Sequence, residues 1–115
     1  MTINELFDYT DEQFPNQYSS PLKMEWINNL EKEIFDYLGM FDDEIEFTKH
    51  TSVTETLQID EPDIYALYIA ARADFANGEY ARYNNKVAQF NAFFDDWKSR
   101  YLRHHQPLGK RYIRI

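Results

Sequence analysis

Between Glu79 and His105 the chain carries Tyr80, Tyr83, Val87, Phe90, Phe94, Trp97 and Tyr101 at alternating gaps of three and four residues. That spacing returns large apolar groups to one side of an α-helix at every turn, whereas a strand changes face at every residue. Arg82, Asn84, Asn85, Lys86, Gln89, Asn91, Asp95, Lys98 and Arg100 fall between the seam positions. Ala81, Ala88, Ala92 and Phe93 widen the apolar face beyond a coiled-coil seam, so the pattern predicts a bundle helix. No proline interrupts the run, and Gly78 breaks the chain just ahead of it. Burying the seam supplies on the order of 10–20 kcal/mol as an upper bound. A surface ion pair contributes only about 0–1 kcal/mol. The seam is therefore expected to face the core.

The remaining chain also reads as helices. Thr2 and Glu5 have capping-box spacing, which predicts a short helix carrying Ile3, Leu6, Phe7 and Phe14 inward and ending at Pro15. Ser20–Pro21 opens a second helix to Leu38, with Gly39 as its stop. Ile27, Leu30, Ile34 and Leu38 form its buried stripe, with Trp26 and Tyr37 at the margins. Glu25, Glu31, Lys32, Glu33 and Asp36 are expected in water. Asp60 or Glu61, before Pro62, opens a third helix with Ile64, Leu67, Tyr68, Ala71 and Phe75 inward. Asn77–Gly78 then ends or bends it. So short a joint makes the last two helices an antiparallel hairpin, or else one bent rod, and the hairpin is favoured. Residues 44–59 alternate polar and apolar in part. They form either a small β-hairpin turning near His50–Ser52 or an irregular loop.

The expected fold class is therefore all-α: a small bundle over 1–106 with a long C-terminal aromatic-seam helix, followed by an extended basic tail over 107–115. The formal charge of −8 is unevenly spread. Residues 1–63 hold sixteen Asp and Glu against three Lys, and residues 64–115 hold four against nine Lys and Arg, giving −13 and +5. Either these are solvated faces of different sign, or the acidic part of one copy meets the basic part of another. With no cysteine, disulfides and thiolate metal sites are excluded. The amino terminus has neither a basic nor an apolar signal region, so no secretory leader is expected, and no apolar run approaches membrane-spanning length.

Little in the sequence points to catalysis. Gly39, Gly78 and Gly109 are isolated, so no phosphate loop forms. His104 and His105 are adjacent and diverge by about 100° on a helix, a poor metal pair. His50 has no spaced partner. Asp42–Asp43–Glu44 lacks the spacing and central glycine of a calcium hand, and Asp95–Asp96 reads as solvated. No enzyme activity, catalytic residue, cofactor or metal is expected. The tail residues Lys110, Arg111, Tyr112, Ile113, Arg114 and Ile115 alternate basic and apolar in part, which suits partner docking better than a frayed end.

One stretch resembles a known family. The run Asn77–Gly78–Glu79–Tyr80–Ala81–Arg82–Tyr83–Asn84–Asn85, continuing through Phe90–Asn91 to Trp97 and closing on Arg103–His104–His105, is similar to tailed-phage head-completion proteins. Tyr18–Ser19–Ser20, Lys23 to Ile27 with Leu30, and Pro62–Asp63–Ile64–Tyr65 resemble that family's earlier segments. The similarity spans most of Tyr18 to His105. It implies a head–tail connector, or adaptor: a mostly helical virion protein, assembled in the host cytoplasm, that forms a ring of copies beneath the portal protein. The implied partners are the portal, neighbouring copies and a tail-side stopper or tail-completion protein. DNA would pass the channel without specific binding, and no membrane is involved. The chain departs from the family pattern after His105, and Lys110–Ile115 is assigned to gripping the portal. The alternative reading is a small acidic protein that mimics nucleic acid or regulates its partners.

Overall fold

The computed structural model describes residues 1–16, 18–40 and 45–105, with only the backbone of His104 and His105. Four helices follow in order: α1 (Ile3–Gln13), α2 (Ser20–Leu38), α3 (Pro62–Ala76) and α4 (Tyr80–His105). The protein is an all-α bundle.

Side chains satisfy free amides at the starts of α1 and α2. Thr2 Oγ1 accepts from the Glu5 amide, and the Glu5 carboxylate accepts from the Thr2 amide, closing the expected box. Hydrogen bonds to Thr2, chiefly its backbone N–H, hold the Glu5 carboxyl below its usual range. The α2 cap is Ser19 rather than Ser20. Its hydroxyl accepts from the Leu22 amide, placing Pro21 in the first turn where its missing N–H costs nothing. Glu61 caps α3 without a side-chain bond, and Pro62 fixes its first turn.

The centre of the bundle is α3, not α4. Ile64, Tyr65, Ala66, Leu67, Ile69, Ala70, Ala71 and Ala73 are all buried, so this helix is apolar on nearly every side. It packs against each of the other three helices. From α1 it receives Ile3, Leu6 and Phe7; from α2 come Trp26, Ile27, Leu30, Ile34 and Leu38. Trp26, expected at the margin of α2, lies inside. Phe75, expected inward, is 47% exposed because it stands in the last turn of α3, past the end of the packed layer.

α3 and α4 form the antiparallel hairpin. Gly78 takes φ 76°, a left-handed conformation that L side chains rarely adopt, and so reverses the chain within three residues. Cross-helix pairs run in opposite directions from this turn: Phe75 with Tyr83, Asp74 with Lys86, Tyr68 with Phe90, and Glu61 with Arg100.

Residues 45–59 contain no hairpin among the described residues. The chain there pairs with the amino-terminal segment instead. Thr2 and Thr56 form one antiparallel bridge, with Ile3 N–H on Glu55 O, Asn4 N–H on Val53 O and Leu57 N–H on Met1 O. A partner edge was already available at the start of the chain, and an isolated hairpin is barely stable alone. Leu57 and Ile59 turn into the core and anchor the loop.

Candidate interaction surface

The sequence nominated two groups of residues, the aromatic seam and the basic tail. The seam is described in full. Trp97 is buried, Tyr83, Val87, Phe90, Phe94 and Tyr101 are half-buried, and Tyr80 is 58% exposed. The expectation that all seven face the core is thus corrected. A helix of 26 residues is about 39 Å long, whereas α3 beside it has 15. One neighbour of that length covers only one side of the seam, and Tyr80 sits at the exposed corner of the turn.

The half-buried rings are ordered by contact with one another. Phe90 stacks on Phe94 at 5.9 Å, Phe94 on Trp97 at 6.0 Å, and Trp97 meets Tyr101 at 5.3 Å. Tyr37 from α2 meets the edge of Phe94, and Lys98 lies over both rings. Phe75, Tyr80 and Tyr83 cluster at the turn, with the Arg72 guanidinium over Phe75. These contacts order large apolar groups while leaving much of their area in reach of a partner.

A groove flanks α4 on each side. One, of about 250 Å³, is lined by Tyr68, Arg72, Tyr83, Val87 and Phe90. Burial pushes the Tyr68 hydroxyl above its usual range. The other, of about 300 Å³, is lined by Tyr9, Phe14, Asp63, Leu67, Gln89 and Phe93. There the Tyr9 hydroxyl donates to Asp63 Oδ1, and that hydrogen bond raises its pKa.

A buried polar cluster, not anticipated from sequence, holds the loop over this frame. Glu31 was expected in water, yet it is fully buried. Its Oε2 accepts from the Tyr65 hydroxyl and the Gln58 amide, and its Oε1 from Gln58 Nε2. His50 Nε2 lies 2.7 Å from Glu31 Oε1, close enough for an ion pair but too poorly directed for a hydrogen bond. His50 Nδ1 lies 2.9 Å from Glu55 Oε1. Both ring nitrogens thus face carboxylate oxygens. The His50 backbone exchanges two hydrogen bonds with the Asn28 side chain. The Glu55 carboxylate also accepts from Thr51 and Ser52. The hydrogen bond from His50, followed by those from Thr51, lowers the Glu55 carboxyl to about 2. Burial, with the Glu31 charge beside it, drives the Tyr65 hydroxyl far up. Every group here is committed to another, so the cluster fastens the 45–59 loop to α2 and α3.

Asp95 and Asp96 are exposed and pair with Lys98 and Arg100. Among the described residues no group of His, Cys, Asp and Glu could hold a metal ion, and no helix is long and apolar enough to cross a membrane. Asp42–Asp43–Glu44, the side chains of His104 and His105, and the segment Lys110–Ile115, nominated by the sequence for docking, lie outside the described residues. The chain matches no family model, no curated protein and no solved structure.

Proposed function

We propose that this chain is a structural connector subunit of a tailed-phage virion, assembling with copies of itself beneath the portal and joining it to a tail-side completion protein. The observation that carries the reading is the one-sided packing of α4. Its aromatic face is ordered by ring contacts yet only partly covered within the molecule. A partly buried row of rings on a rigid helix is a surface suited to close packing against further protein. The resemblance in the run from Asn77 to Asn85 supplies the particular assembly, and Gly78 within that run forms the reversal that sets α4 on α3. The Lys110–Ile115 segment supplies the grip on the portal.

Electron microscopy of particles carrying a tagged copy tests this directly. Density for the chain in a ring next to the portal is expected. Particles that lack the chain, or that carry it elsewhere, overturn the proposal. Deleting Lys110–Ile115 is expected to abolish incorporation while leaving helical content unchanged.

A further inference from the structure

The groove between α1, α3 and α4 has a definite chemical character. Its walls are the rings of Tyr9, Phe14 and Phe93 with Leu67, and its charged group is the Asp63 carboxylate. Among the described residues no lysine or arginine lines it directly, although the Lys86 ammonium lies 5.1 Å from the centre of the Phe14 ring at one end, paired with Asp74. Phe93 is 44% exposed and takes no part in the ring contacts that order the rest of α4. Asp8 and Glu12 on α1 are exposed, and neither is in an ion pair among the described residues. The groove thus has largely apolar walls with Asp63 as its charged lining group, and Asp8 and Glu12 adjoin its lining residues Tyr9 and Gln13 along α1.

The end of the same chain has the complementary composition. Lys110, Arg111 and Arg114 carry three positive charges, and Tyr112, Ile113 and Ile115 carry three large apolar groups. Reach favours a contact within one molecule. Phe93 lies twelve residues before the end of α4, about 18 Å along the helix. Residues 106–112 span up to about 23 Å when extended. A tethered ligand of this length acts at an effective concentration on the order of millimolar, so contacts too weak to join separate copies are populated within one chain.

We infer that the groove bounded by Tyr9, Asp63, Leu67 and Phe93 is the docking site for the chain's own C-terminal segment, Lys110–Ile115. Tyr112 and the isoleucines cover the apolar walls, and the cations face Asp63 and the acidic surface of α1. A partner that takes this segment first draws it out of the groove, so its apparent affinity is lowered by the docked fraction. The inference goes beyond the connector reading and does not lean on it, because the contact lies within one molecule and is measured with no portal present.

The absence of cysteine makes the test direct. A nitroxide on the full-length Gly109→Cys chain is expected to at least halve the amide peak intensities of Gln13, Gln89 and Phe93 in isotope-labelled protein. The loss is expected to be unchanged on tenfold dilution. It should vanish in Phe93→Ala, which removes an exposed ring, and in the triple variant Lys110→Glu, Arg111→Glu, Arg114→Glu. Circular dichroism confirms that both variants keep their helices. Full intensities in the labelled chain overturn the inference. So does broadening seen only when a spin-labelled copy is mixed with an isotope-labelled one, since the occupant is then a second molecule. Broadening that survives both sets of substitutions also overturns it, because the tail would then be near the groove without binding it.

Discussion

Glu31 lies four residues after Ile27 and seven before Leu38, in the register of the buried stripe of α2. Helical period places it inside, and only its charge argued for water. Lys23, four residues before Ile27, has the same register and is also buried, with its ammonium 3.3 Å from Asp11 and over the Phe7 ring. Charged residues in apolar register were thus the one signal in the sequence for this cluster. The partners of Glu31 had no such signal, because His50, Gln58 and Tyr65 are brought to it by the path of the loop. Truncating Glu31 leaves the His50 ring, the Tyr65 hydroxyl and the Gln58 amide facing a void. Glu31→Ala is therefore expected to cost about 3–5 kcal/mol in urea unfolding. Lys32→Ala, one residue away in an exposed pair with Asp36, is expected to cost no more than about 0.5 kcal/mol. Glu55 sets a pH dependence of definite sign. Its carboxyl titrates at about 2 in the folded chain against 4.5 ordinarily. The unfolded chain therefore takes up the proton first as pH falls. The stabilisation is complete above pH 4.5 and is lost between there and about 2. The urea midpoint should fall through this window, and less steeply in Glu55→Gln.

The four helices were legible because each is bounded by residues with one local meaning: the Thr2–Glu5 box, Pro21 in the first turn of α2, Pro62, and Gly78, although the α2 cap proved to be Ser19 and not Ser20. Rank among the helices was not legible. The seam of α4 has the clearest period in the chain, but a clear period marks a helix with one wet side. α3, buried on all sides, has almost no contrast between faces, and reads from sequence as a shorter and less organised segment. The choice between hairpin and irregular loop at 44–59 stayed open in the sequence for a related reason: the loop's bridge partner is Thr2, more than fifty residues away, and alternation names no partner. Uneven burial along α4 predicts uneven mutational cost. Trp97→Ala, removing a ring that is 7% exposed, is expected to cost about 3–5 kcal/mol. Tyr80→Ala, in the same seam, is expected to stay within about 0.5 kcal/mol. Thermal or urea unfolding of the two variants reads the difference. Equal costs would mean that the N-terminal turns of α4 pack as tightly as its middle.

At the scale of the molecule, the formal split of −13 and +5 overstates how much positive field α4 presents. Arg82 is paired with Glu79, Lys86 with Asp74, Lys98 with Asp95, and Arg100 with both Asp96 and Glu61. These cations are largely neutralised where they stand, and the last pair already joins the two halves of the chain. The acidic half is left with Asp8, Glu12, Glu25, Glu33, Glu46 and Asp60 exposed and without such partners among the described residues. Arg72 and Arg103 are exposed and in no ion pair among the described residues, and Lys110, Arg111 and Arg114 of the C-terminal segment add three further positive charges by sequence. If that segment docks on a partner, the field that steers it belongs to a short stretch of chain, and salt screens it readily. The screening length falls from about 10 Å at 0.1 M salt to about 3 Å at 1 M. The apolar contacts of Tyr112, Ile113 and Ile115 are not weakened by this change. Binding of the full chain to immobilised portal is thus expected to show an association rate falling about tenfold or more between 0.05 and 0.5 M salt, with a dissociation rate that barely moves. Glutamate at all three cationic positions should give the high-salt association rate at low salt. An association rate indifferent to salt would assign recognition to the rings of α4 instead of the tail.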